Sequence, residues 1–380
     1  KTPTRRDFVR LGGAGSAGAF TFAGPGSVRG SQANSAVTIG LVGCGNRGTH
    51  DAGLFAKNEF ARVAALCDIY EDKIAAASQR FSGARSYRRI EDLLASDVDA
   101  VLIATPVFLH PEHFELAVNA RKHIFMEKPA GADVPGCLRV LAAARRADKT
   151  KRISVDFQQR YGKDYRRAHE IVKSGQLGPI RMIRTAWLGG GGSASGPRPG
   201  FPPEQEKIRN WYRFRETSGD IIVEQNCHNF DVVTWFTGGH PVKAAGYGAR
   251  AMKRPYGDVM DSLAVSYQFA DGIVYSHSAM QIGAGFSEVG ETFVCAEGSV
   301  WTSRRGIKVW RPGARQPEET VTRGDITQDA VNEFIDGVRN NRLENAAITA
   351  VESTLVAILG REAIYAGKEL TWQELTKGQA

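Results

Sequence analysis

The sequence predicts a doubly wound parallel α/β sheet over residues 37–157, followed by an α+β domain over residues 158–380 with a mostly antiparallel sheet. Three observations carry this expectation. Short apolar runs alternate with helical stretches from Val37 to Phe157, as parallel βαβ units require. The first run ends in a glycine-rich turn, Gly43-Cys44-Gly45-Asn46-Arg47-Gly48. Past Phe157 the texture changes to strand-like runs parted by turns such as Ala270-Asp271-Gly272.

The elements follow in order. Val37 to Val42 is apolar enough for a buried parallel strand. Asn46 to Asn58 has helical character, and Val63 to Cys67 is the next strand. Glu71 to Phe81 reads as a helix, and Ser86 to Ala95 as a turn with a short helix. Val98 to Ala104 is a buried strand ending in Thr105-Pro106, and Pro111 to Ala120 carries helical spacing. His123 to Met126 is a short strand running into Glu127-Lys128-Pro129. A helix over Ala132 to Arg146 and a strand over Ile153 to Phe157 complete the first unit. In the second, Tyr165 to Ser174 is an amphipathic helix stopped by Gly175. Strand runs follow at Ile180 to Leu188, Val242 to Ala249, Ser262 to Phe269, Ile273 to Met280 and Glu291 to Cys295. Gly189 to Pro203 has no core-forming pattern and reads as a mobile loop. Gln328 to Gly337 and Ala346 to Ala366 are helical again.

The glycine turn is a G-x-G-x-x-G between strand and helix. Such a turn brings backbone N–H groups close to a pyrophosphate, and the helix N-terminus favours its charge. This makes Gly43, Gly45, Asn46, Arg47 and Gly48 candidate cofactor-binding residues. The second strand stops at Asp68, about 20 residues further on, where an acid accepts hydrogen bonds from the adenosine ribose. A carboxylate there repels a 2′-phosphate, so NAD is expected over NADP. In a doubly wound sheet ligands sit at the carboxyl ends of strands. Thr105-Pro106 and Glu127-Lys128-Pro129 are both at such ends.

Composition narrows the function classes. Net charge is +8, and half of it lies before residue 37, where Lys1, Arg5, Arg6, Arg10 and Arg29 oppose Asp7 alone. No basic stripe with interleaved aromatics is present, so nucleic acid is not an expected partner. No apolar run after residue 37 is long enough for a membrane span. The five cysteines are scattered, without a C-x-x-C pair, and read as small buried side chains. No His/Asp/Glu set has metal-ligand spacing, and none is expected. Thr4-Arg5-Arg6-Asp7-Phe8-Val9-Arg10, a mild apolar stretch over Leu11 to Gly24 and small residues near Ala36 resemble a twin-arginine (Tat) export signal. That address implies the Tat machinery as a partner and a periplasmic or secreted protein. A free basic tail is the alternative. Tat substrates cross folded, so an exported enzyme would carry its dinucleotide with it and recycle it in place.

In the second domain Arg160 and Tyr161, Trp211, Tyr212 and Arg213, and Asn226 are candidate substrate-binding residues, offering polar contacts and flat aromatic faces. Salt-bridge and packing roles fit the same residues.

The ordered set Gly43 to Gly48, Thr105-Pro106, His110, Glu127-Lys128-Pro129, Gly219 to Asp231, Trp235 and Gly367-Lys368-Glu369-Leu370-Thr371-Trp372 resembles the Gfo/Idh/MocA family of NAD(P)-dependent sugar and polyol oxidoreductases. The resemblance covers nearly everything after residue 36. It implies a Rossmann domain, an open-faced sheet domain used for forming homodimers or homotetramers, and C-terminal helices returning toward the Rossmann domain. It implies that Thr105, Pro106, His110, Glu127 and Lys128 lie along the cofactor. Lys128 matches the active-site lysine, which stabilises a developing alkoxide; burial beside a nicotinamide would lower its pKa. His228 matches the general base, a task imidazole suits. Glu224 lies four residues earlier and, on a continuous helix, would share a face with His228 and orient it. Asp231 is assigned a structural role. The implied function is hydride transfer between a sugar, glycoside or polyol carbinol and a nicotinamide. Some relatives are instead NAD-dependent glycosidases that oxidise, eliminate and re-reduce. A non-catalytic dinucleotide sensor is the third possibility.

Overall fold

Six short, almost wholly buried runs pair in parallel at the centre of the first half of the chain. They are β1 (Val37–Val42), β2 (Ala61–Cys67), β3 (Arg85–Tyr87), β4 (Ala100–Ile103), β5 (His123–Met126) and β6 (Ile153–Val155). The computed structural model describes residues 36–189, 201–252, 256–283 and 285–377. The twin-arginine segment and most of the stretch read as a loop between Gly189 and Pro203 lie outside them.

The sheet order is β3-β2-β1-β4-β5-β6, with the order reversing beside β1. Open sheets place their ligands at such a reversal. Both faces are covered, so β1, β4 and β5 are apolar without alternation. One covering helix comes from far along the chain. The Ile326–Arg339 helix carries Phe334 against Phe55 and Phe125, three rings meeting edge to face with centroids 5.4–5.9 Å apart.

The second sheet has nine strands: β7 (Ile180–Leu188), β8 (Lys243–Ala249), β9 (Ser262–Gln268), β10 (Val274–Met280), β11 (Glu288–Cys295), β12 (Ser299–Ser303), β13 (Gly306–Trp310), β14 (Glu318–Val321) and β15 (Leu370–Thr371). Their order is β14-β13-β12-β11-β7-β10-β9-β8-β15, with β7 and β10 parallel and the other pairs antiparallel. Strands β12 to β14 were not anticipated from sequence. Burial alternates along β9 and β10, so one face packs on helices and the other is open. On the open face Val274, Met182 and Val294 lie in one cross-strand row and are 48%, 46% and 40% exposed.

The Ala347–Ala366 helix is buried on nearly every side. Its Thr354 hydroxyl accepts from the Ala130 N–H at 3.1 Å, and its Arg361 donates to the carbonyls of Ala132 and Gly219 at 2.6 and 3.1 Å. It thereby ties the segment after Lys128 to the turn before Glu224. No helix among the described residues is long and apolar enough to cross a membrane. All five cysteines are buried and free.

Candidate active site

The glycine turn is built as its motif requires. Gly43 has φ +94°, and a Cβ on it would lie 2.6 Å from the Ala104 carbonyl oxygen. A Cβ on Gly48 would lie 2.0 Å from the Gly43 oxygen, so the protein itself demands both glycines. Gly45 is different: a Cβ there meets nothing within 4 Å. No neighbour in the chain requires that glycine, whereas a pyrophosphate approaching the backbone would. Gly45 is also the N-cap of the Asn46–Ala56 helix and offers no side-chain cap, which leaves first-turn N–H groups available to an anion. Asp68 stands beside the turn and accepts from the Cys44 and Tyr70 N–H groups at 2.8 and 2.9 Å. Burial raises its pKa, against those two hydrogen bonds. A carboxylate has lone pairs beyond these two, enough to accept from a ribose. Asp68→Ser is expected to weaken NAD binding about 10–100-fold, the worth of charged hydrogen bonds, and to raise NADP affinity. Fluorescence titration with both dinucleotides checks this; an unchanged NAD/NADP ratio would remove Asp68 from the cofactor site.

Arg47 lines the cleft and is also ion-paired within the chain. Its Nε lies 2.5 Å from Glu127 Oε1 and 3.0 Å from Asp51 Oδ2, and its Nη2 lies 2.6 Å from Asp156 Oδ2. Spacing gave no hint of an acidic set, yet the fold brings Asp51, Glu127 and Asp156 together, all buried. The guanidinium occupies their centre. Burial and the neighbouring Glu127 push the Asp51 carboxyl upward, so a proton held there helps to balance the cluster. Glu127 in turn accepts from the Lys128 N–H at 3.1 Å, which links the glycine turn to the lysine.

Beyond this cluster a cleft of about 300 Å³ opens at the carboxyl ends of β4 and β5. Thr105, His110, Lys128, Trp187, Trp211, Tyr212, Glu224, Gln225, His228 and Arg304 line it, together with Arg47 and Glu127. Lys128 Nζ donates to the Glu224 carbonyl at 2.7 Å and to Glu224 Oε1 at 2.9 Å. His110 is fully enclosed, its ring nitrogens 2.7 and 2.9 Å from the carbonyls of Pro129 and Thr105. His228 packs flat on Trp187, centroids 5.8 Å apart, and edge-on to Phe157. Its Nδ1 is buried without a hydrogen-bond partner among the described residues. Burial first, then Arg304, Lys128 and Arg47, hold its pKa well below the usual imidazole value. Neutral imidazole beside an ammonium is an arrangement suited to moving a proton and stabilising an oxyanion.

Residues 37–157 match the model of the oxidoreductase family with an NAD-binding Rossmann fold, and residues 165–300 match the GFO/IDH/MocA C-terminal domain. The chain belongs to the Gfo/Idh/MocA family. Among its relatives is an inositol 2-dehydrogenase of Corynebacterium glutamicum, 26% identical over 333 residues, which are 86% of this chain and 92% of that one. An inositol 2-dehydrogenase of Rhizobium meliloti is 28% identical over 62% of this chain and 66% of its own. A levoglucosan dehydrogenase solved with NADH and levoglucosan superposes with TM-score 0.76 at 17% identity, over 88% of this chain and 99% of that one. This Gfo/Idh/MocA chain therefore carries the family's NAD-binding Rossmann domain, with the glycine turn and Asp68 fitting the cofactor.

Two expectations need correction. Glu224 and His228 both line the cleft, but no hydrogen bond joins them among the described residues. The first helix ends at Glu224, the second starts at Cys227, and the break at Gln225-Asn226 destroys the four-residue spacing. Glu224 pairs with Lys128 instead. In the turn ahead of the first helix, Asp220 holds φ 74° and ψ 167°, a region almost reserved for glycine. Its carboxylate anchors that turn by accepting from the Ile221 N–H at 2.6 Å, the Met260 N–H at 3.1 Å and the Tyr365 hydroxyl at 2.6 Å. The pKa of Lys128 is not lowered. Burial is the largest single influence and opposes its charge, but Glu224, Cys227 and Glu127 together outweigh it and the net shift is upward.

The other candidates divide. Trp211 and Tyr212 line the cleft, whereas Arg160, Tyr161, Arg213, Asn226 and Pro106 do not. Arg160 is a fork on Asp231, with contacts of 2.8–3.1 Å, and Asp231 also accepts from the Ser353 hydroxyl. Tyr161 and Arg213 are buried, and Asn226 is enclosed with neither amide atom hydrogen-bonded. The cleft also uses residues the sequence did not single out: Trp187, Gln158, Gln225 and Arg304. Gln225 joins Tyr212 through Gln281, whose amide nitrogen lies 2.5 Å from the tyrosine oxygen and 3.1 Å from Gln225 Oε1. Trp187 alone carried a visible signal, as an aromatic on a predicted strand.

Proposed function

We propose that this chain transfers a hydride between a sugar or polyol carbinol and NAD. The supporting observation is the meeting of Lys128 and His228 in one cleft below the glycine turn. NAD, when bound, supplies the hydride acceptor. The chain's own groups do the rest. His228 is neutral and takes the hydroxyl proton. Lys128, kept charged by Glu224, donates to the oxygen as it gains negative charge. Trp211 and Tyr212 give the sugar an aromatic wall. The inositol 2-dehydrogenases and the levoglucosan dehydrogenase support a polyol or anhydrosugar-like substrate.

The test is incubation of the purified protein with NAD and a panel of sugars, polyols and aryl glycosides. Both reduced-nicotinamide absorbance and free aglycone are followed. Reduction of the cofactor with stoichiometric carbonyl product is expected. Aglycone released without net reduction would replace this reading with the glycosidase one.

Two further parts of the reading rest on sequence and surface. The Arg5-Arg6 segment directs Tat export, so R5K/R6K is expected to remain in the cytoplasmic fraction while the native chain leaves it. The exposed row of Met182, Val274 and Val294 on the open sheet face fits a homo-oligomer, since clustered apolar surface favours association. Light scattering giving a monomer would overturn that.

A further inference from the structure

Three cations line the cleft, and two of them are answered within the chain. Arg47 is held by Asp51, Glu127 and Asp156, and Lys128 by Glu224. Arg304 has no carboxylate within ion-pair distance among the described residues. It sits in the turn between β12 and β13, where the Ser303 hydroxyl accepts from the Arg305 N–H at 3.1 Å and fixes the loop. Its guanidinium carbon stands 5.5 Å over the Trp187 ring, and Trp187 stacks on His228. Glu291, a buried acid in the sheet beneath, is already committed: Asn229, the Thr302 hydroxyl and the Tyr165 hydroxyl donate to it at 2.7, 2.6 and 3.2 Å. Residues 190–200, which continue from the strand bearing Trp187, contain no Asp or Glu and one arginine, Arg198.

The cleft wall therefore carries one uncompensated positive charge, beside the ring that backs His228. We propose that Arg304 is a carboxylate subsite, and that the substrate is an acidic monosaccharide, a uronate or aldonate, rather than a neutral sugar. This rests on the sugar-oxidation reading above and narrows its substrate class. A guanidinium held over an indole presents its edge as a planar fork, the shape a carboxylate matches with two parallel hydrogen bonds. A single arginine balances a single negative charge. A phosphate dianion would call for a second free cation or a helix N-terminus at that wall, and among the described residues the cleft offers Arg304 alone.

The experiment is calorimetric titration of the NADH-loaded full-length chain with matched pairs, glucuronate against glucose and galacturonate against galactose. It is repeated with Arg304→Gln, an exposed position where the change is mild for folding. A charged hydrogen-bonded pair predicts that the acid of at least one pair binds about tenfold or more tighter than its neutral partner. In R304Q that ratio is expected to fall to about one. The proposal is overturned if neither acid exceeds its neutral partner, or if R304Q keeps the preference. A hexose phosphate binding tighter than both acids would also overturn the carboxylate assignment. Turnover with NAD is read on the same sugars. Acid preference in binding without any turnover sinks the oxidation reading and leaves the subsite standing. Turnover of neutral sugars with no acid preference sinks the subsite alone.

Discussion

His228→Ala is expected to lower kcat by about 10²–10⁴-fold, the usual worth of a general base, with NAD affinity nearly unchanged. The reason is geometric. His228 lines the cleft, has a buried ring nitrogen without a partner and stacks on Trp187, and no other histidine offers a substitute. His110 has both nitrogens against carbonyls, and His277 is bonded to Thr185 within the second sheet. Alanine also leaves a void beside Trp187, so the sharper variant is His228→Gln, which keeps shape and hydrogen bonding but has no basic nitrogen. Comparable loss in both variants assigns the effect to proton transfer; full rate in His228→Gln would end the assignment. The pH profile adds a second reading. The depressed pKa keeps the base unprotonated well below the usual imidazole value of about 6.5, so wild-type kcat/KM is expected to stay level as pH falls from 8 toward about 6. The same depression makes stability fall on acidification. The unfolded chain takes up a proton near its ordinary pKa while the folded imidazole does not, so stability present above about pH 6.5 is lost as pH falls through the folded pKa. His113 and His123, each lowered to about 4 chiefly by burial, act in the same direction. Thermal melts at stepped pH check it.

The parts of the site that sequence discloses are those whose chemistry is local. A glycine turn, an acid at the end of the next strand and a lysine after a buried run each declare themselves within a few residues, because backbone approach and strand ends are short-range matters. The Lys128–Glu224 pair is different. It joins residues 96 apart, and the chain between them crosses from one domain to the other. Spacing invited a Glu224–His228 partnership on one helix face, which holds only if the helix is continuous. The interruption at Gln225-Asn226 breaks that condition, and periodicity does not encode it. Arg160 is legible as a cation but not as the partner of Asp231, 71 residues away. Arg304 sits in a polar turn where arginines are ordinary, and only the packing of Trp187 against His228 gives it meaning. Strands β12 to β14 escaped notice because they are only four or five residues long and interrupt their apolar residues with Ser, Thr, Lys and Glu. At the edge of a half-open sheet, burial asks for little more.

Lys128→Met is expected to lower kcat by about 10²–10³-fold, the loss seen when one oxyanion donor is removed. An ammonium has three N–H donors. Glu224 takes two of them, through its carbonyl at 2.7 Å and its carboxylate at 2.9 Å, and the third is left for the reacting oxygen. In the proposed reaction Glu224 is then a positioning residue: it would fix the direction of the remaining donor and keep the charge in place against burial. Met matches the length of lysine without either property. It also strips Glu224 of its partner in a largely enclosed setting, which destabilises the fold. The double variant K128M/E224Q separates the two effects, since removing both charges is expected to restore stability but not rate. Recovery of rate in the double variant would show that Lys128 is only a counter-ion. Glu224→Gln alone gives a distinct signature. Glu224 is the largest influence raising the lysine pKa, while burial lowers it. Without the carboxylate the ammonium loses its proton at lower pH, so the alkaline limb of kcat/KM moves downward in E224Q and stays beyond the usual lysine range in the native chain. A limb that does not move would separate Glu224 from the chemistry, because a purely structural pair has no reason to appear in the pH profile of the reaction.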